Sequence, residues 1–149
     1  MKLVEDPAEQ TTALTDIILA MVACGGVLLL QRSTVSTAEL WRINIWSAAI
    51  GLIGLAAALG AVTHGLVLKT TLHNRIWLVL NMMLAFAVSL FLVGVINDLW
   101  GWEASKKALP FMLSAGLAFY LTTLIYPEIF LFFIGPRTLF FYGSRKHNK

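Results

Sequence analysis

The chain has 149 residues, 58% of them hydrophobic and only 13% charged, with a mean hydropathy of +0.79. A soluble domain carries roughly 25% charged residues, and a domain this small leaves much of its surface wet, so a water-soluble globule is excluded and lipid is the fitting solvent. The net charge of +3 does not point to nucleic acid, because the basic residues flank apolar runs and form no single patch, the arrangement that anchors helix ends at a bilayer surface.

The fold class is all-α: a polytopic transmembrane helix bundle of about four spans in up-down order, forming a single domain over residues 1–149. A span needs about 20 mostly apolar residues. The first run, 12–30, follows an acidic stretch holding Glu5, Asp6 and Glu9 against Lys2 alone. A signal peptide wants a positive leading region and a small-residue cleavage site, so this run is expected to remain as an anchor. Its Cys24 reads as an inert buried thiol. The second run, 41–68, is long enough to tilt. The third, 76–96, opens after His73, Asn74 and Arg75, and the fourth, 108–126, follows Glu103, Lys106 and Lys107. The connecting loops are short, which favours antiparallel neighbours.

The tail over 127–143 is apolar but broken by Gly135, Pro136 and Arg137. It is expected to continue the fourth helix past a kink at Pro127 or to lie in the interface; the alternative is a short fifth span. With four spans, Lys2, Lys69, Arg75, Arg137, Arg145, Lys146 and Lys149 gather on one side, against Arg32, Arg42, Lys106 and Lys107 on the other. Positive residues stay inside, so both termini are expected in the cytoplasm of a cell membrane, bacterial inner membrane included. Trp41, Trp46, Trp100 and Trp102 form an aromatic belt at the opposite face.

Ionisable groups in lipid are costly and mark bundle interiors or functional paths. Asp16 and His64 are the candidate catalytic pair, and Asn81, Tyr126 and Glu128 the candidate binding residues. All are expected near one membrane face, four of them on rows of small residues that let helices approach: Asp16 with Ala20, Ala23 and Cys24, His64 with Gly60 and Ala56, Asn81 with Ala85 and Ser89, and Tyr126 with Thr122, Ala118 and Ser114. Each also has a plainer role. Asp16 would favour the positive end of its helix, His64 and Asn81 would bond between helices, and Glu128 would sit in water. Asn97 and Asp98 read as a helix exit and its loop.

Cofactors and metals are not expected. A haem between two helices needs a second membrane histidine, and a zinc site from Asp16, His64 and His73 lacks recognisable ligand spacing. The expected partners are the bilayer, further copies of the chain or a larger membrane complex, and no nucleic acid. The foremost reading is a non-enzymatic accessory subunit or homo-oligomer. One alternative is a lipid-modifying hydrolase in which Asp16 orients His64 as general base. The other is a transporter or proton-relay component.

The stretches Glu9-Gln10-Thr11-Thr12-Ala13-Leu14-Thr15-Asp16 and Gly60-Ala61-Val62-Thr63-His64-Gly65 resemble an uncharacterised bacterial family of small multi-pass membrane proteins, a likeness that implies the fold but carries no assigned activity. A more distant likeness is to alkaline ceramidase-type seven-helix membrane hydrolases, which set a hydroxyl residue, an aspartate and a histidine near one membrane face. That likeness would match Thr63, Asp16 and His64, although the late histidine pair that binds zinc in those enzymes does not follow here.

Overall fold

A computed structural model describes residues 2–32 and 36–125. Among these the chain is all-α, with three helices: α1 (Pro7–Gln31), α2 (Thr37–Gly65) and α3 (Thr70–Ile125). Each is long and apolar enough to cross a membrane.

The helix starts follow local chemistry. The Asp6 carboxylate accepts the backbone N–H of Ala8 at 2.9 Å, and Pro7 fills the first helical position, where its missing N–H costs nothing. At the head of α2 the Glu39 carboxylate accepts the Ser36 backbone N–H at 3.2 Å and the Ser36 hydroxyl at 2.9 Å, the glutamate half of a capping box. α1 therefore begins five residues before the apolar run that marks it in sequence, because the cap and the proline, not hydropathy, decide where a helix starts.

α3 holds 56 residues, interrupted at Gly101 with φ 83° and ψ 175°, a conformation open only to glycine. A straight helix would place residues 89 and 116 about 40 Å apart. Instead Gly116 lies against the Ser89 side chain and the Ala85 carbonyl, and the Ser105 hydroxyl meets Asn97 Oδ1 at 3.2 Å. The two halves, 70–100 and 102–125, thus fold back on each other as a helical hairpin turning at Gly101.

α1 and α2 run antiparallel along a seam of small residues. A Cβ on Gly65 would lie 3.4 Å from Ala13, on Gly54 2.8 Å from Ala23, and on Gly51 3.9 Å from Val27. Helix axes come this close only where side chains are absent, and dispersion contacts between backbones then hold them. α2 packs in turn on α3, while α1 and α3 barely meet. The core is correspondingly small-residued: Ala49, Ala56, Ala57, Ala87 and Val93 are buried. Large apolar residues such as Leu29, Val88 and Phe119 face outward, as lipid solvent permits.

The N-terminal residues return to the far end of α2. Val4 donates its N–H to the Gly65 carbonyl at 3.1 Å, and Val67 to the Lys2 carbonyl at 2.9 Å, with Leu3 and Leu66 as an antiparallel bridge. Gln10 closes this strap by donating to the Val4 carbonyl at 2.8 Å.

Candidate functional site

Polar side chains gather at both ends of the seam. At the strap end, His64 Nδ1 meets Glu9 Oε2 at 2.5 Å. The edge of the His64 ring stands against Trp77, with centroids 5.7 Å apart and planes at 90°. Trp77 Nε1 donates to His73 Nε2 at 2.9 Å. Glu9, His64, Trp77 and His73 thereby link the starts of α1 and α3 to the end of α2. Glu9 and His64 are only partly covered, their side chains 45% and 22% exposed.

Asp16 lies deeper. It stands nine residues after Pro7, about 14 Å along the helix, so the helix dipole, which acts over a first turn, does not explain it; Glu9 is the acidic residue of that turn. Its carboxylate occupies the space that a side chain on Gly60 would fill, since a Cβ there would be 2.5 Å from Oδ2. Gly60 and His64 stand one turn apart on α2, so the carboxylate lies beside the turn that carries His64. Among the described residues, however, the carboxylate within salt-bridge reach of His64 is Glu9.

The structure therefore brings Asp16 and His64 to one seam but gives the imidazole to Glu9, a residue that sequence reasoning passed over as part of an acidic tail. The signal was available: Glu9 precedes Asp16 by seven residues, two turns on the same face. Thr63, the hydroxyl of the hydrolase likeness, is buried and donates to the Gly60 carbonyl of its own helix at 2.9 Å. Asn81 sits apart, in a groove of about 370 Å³ between the halves of α3, beside Ala85, Ser89, Tyr120 and Thr123. Tyr126, Glu128 and the segment 127–143 lie outside the described residues. Cys24 is exposed, not buried: it lines an apolar groove of about 770 Å³ between α1 and α2, with Leu14, Ile17 and Met21.

The opposite end carries a second knot. Trp41 Nε1 donates to the fully buried Ser105 hydroxyl at 2.8 Å. That hydroxyl has one proton to offer, shared between the Trp102 carbonyl at 2.8 Å and Asn97 Oδ1 at 3.2 Å. Arg42 Nε donates to Asp98 Oδ1 at 2.8 Å, and the Lys106 ammonium lies 3.6 Å over the Trp102 ring. Asn97 and Asp98, read in sequence as a plain helix exit, instead tie the Gly101 turn to the start of α2. Asn97 reaches Ser105 only because the chain reverses at Gly101.

These features define an all-α protein with helices suited to a membrane, polar knots at both ends and a seam of glycine and alanine between. Residues 11–143 match the model of a family of unknown function, DUF6962. The chain belongs to that family. No curated protein and no solved structure matches it.

Proposed function

We propose that this chain is a multi-pass protein of the cell membrane that crosses the bilayer four times and serves as a non-catalytic accessory or self-associating subunit. The halves of α3 supply the third and fourth spans. A straight helix of 56 residues would be about 84 Å long, against a hydrocarbon core of about 30 Å, and the reversal at Gly101 matches the bilayer by folding the helix in two. The side holding Lys2, Lys69 and Arg75 is the cytoplasmic one, with the inner membrane as the site in a bacterium.

The observation that carries the subunit reading is the open order of the helices. α2 is packed on two sides, whereas α1 rests on α2 and barely meets α3. A closed four-helix bundle would bring α1 against the second half of α3. Among the described residues nothing covers that flank of α1, and it is available to another chain. The polar groups favour the same reading, because Glu9 and Ser105 are spent on contacts between helices, Asn97 on the turn of α3, and His73 and Trp77 on a bond within α3.

Cysteine chemistry tests both parts. Single cysteines at positions 74 and 103, in a Cys24→Ser background, should be labelled from opposite sides of sealed vesicles; labelling from one side would overturn the four-span arrangement. The native Cys24, exposed on α1, should be captured by oxidative or short bifunctional cross-linking in native membranes. A chain that stays monomeric under those conditions, and by native mass measurement in nanodiscs, would overturn the subunit reading.

A further inference from the structure

The α1–α2 register places three titratable groups in one file. Ala13 lies opposite Gly65 and Asp16 opposite Gly60, so His64 stands at the height of residues 13 and 14 of α1. Glu9 is then about one turn toward the water end and Asp16 about one turn toward the middle of the helix. All three face the same seam. The imidazole is held by Glu9 through Nδ1 at 2.5 Å, and the Asp16 carboxylate fills the gap left by Gly60.

We propose that Glu9, His64 and Asp16 form a proton-binding site in the seam, in which one imidazole is shared between two carboxylates. The inference stands apart from the subunit reading and does not depend on it. Charge bookkeeping defines the site. With His64 protonated and both carboxylates ionised, the file carries one net negative charge inside a low-dielectric seam, where an uncompensated charge is costly. One proton on Asp16 would make the file neutral and leave the imidazole to Glu9, the carboxylate it contacts through Nδ1. Loss of that proton leaves Asp16 and Glu9 competing for the same imidazolium.

Among the described residues the neighbours supply no other charge to settle that competition. On α2, Asp16 is faced by Gly60 and His64; on α3, His64 is faced by Trp77, whose N–H is committed to His73. In the strap, Lys2 is paired with Glu5 at 3.2 Å on the exposed surface. Water enters beside the half-exposed Glu9, and the seam beyond Asp16 is closed by Ala23 and Gly54. The site therefore loads and empties from one membrane side.

The test uses the full chain in lipid nanodiscs, with carbon-isotope-labelled aspartate read by magnetic resonance as pH is varied. The Asp16 carboxyl is identified by its loss in Asp16→Asn. Removing the imidazole in His64→Gln should make Asp16 bind its proton at least about tenfold more tightly, one unit of midpoint. Glu9→Gln, which frees the imidazole for Asp16, should move the midpoint the opposite way. An Asp16 signal that does not titrate, that neither variant moves, or that both move in the same direction would overturn the proposal. Should His64→Gln fail to fold, Glu9→Gln at the half-exposed helix start and Gly60→Ala, whose Cβ would displace the carboxylate, keep it open to refutation: both must shift the midpoint.

Discussion

Replacing Ser105 with alanine removes one oxygen atom from the centre of the knot that holds the Gly101 turn to α2. Ser105 is fully buried, so water cannot take the place of the lost hydroxyl. The Trp41 indole N–H, 2.8 Å from it, is left without its acceptor, and Asn97 Oδ1 loses a donor. A buried donor left unsatisfied costs about 1–3 kcal/mol, while polar contacts between membrane helices average about 0.6 and reach about 1.7 kcal/mol. The complete burial of Ser105 argues for the upper part of the second range and the lower part of the first, about 1–2 kcal/mol, or a factor of about 5–30 in the unfolding equilibrium. Steric-trap unfolding in bicelles measures this. A double-mutant cycle with Trp41→Phe then separates the hydrogen bond from ring packing and from the Lys106 contact. Once the indole donor is gone, Ser105→Ala should cost at least about 0.6 kcal/mol less than in the native background. An equal cost in both backgrounds would mean that Trp41 and Ser105 do not interact energetically, and the reasoning would fail.

Two further substitutions separate packing from backbone strain. Gly94→Ala would set a Cβ 2.9 Å from the Trp46 indole, which is held edge-on to Phe91 at 5.3 Å; the ring has little room to yield, so a loss of about 1–3 kcal/mol is expected, and Trp46→Leu in the same chain should restore much of it in the same unfolding assay. Gly101→Ala meets no atom within 4 Å, yet φ at 83° penalises an L-residue by about 1–3 kcal/mol. D-alanine introduced there by semisynthesis should be tolerated, and equal loss with both enantiomers would show that the turn is not what the substitution disturbs.

Hydropathy by itself determined that this chain is helical and suited to lipid, because long apolar runs with few charges have no other stable solution. It also marked Asp16 and His64 as costly residues on small-residue rows, and those rows do meet: Asp16 lies at Gly60, beside the helix turn that carries His64. What it could not decide was pairing. Which carboxylate holds the imidazole depends on the register of α1 against α2, and that register is set by glycines whose contribution is an absent side chain, invisible to any hydropathy pattern. The same holds for the start of α1. A cap at Asp6 and Pro7 moved it into the acidic stretch, which brought Glu9 into the first turn and left Asp16 deep in the helix. At the other end, Asn97, Ser105 and Trp41 are far apart in sequence, and only the positive φ of Gly101, with the hairpin it permits, brings them to one point.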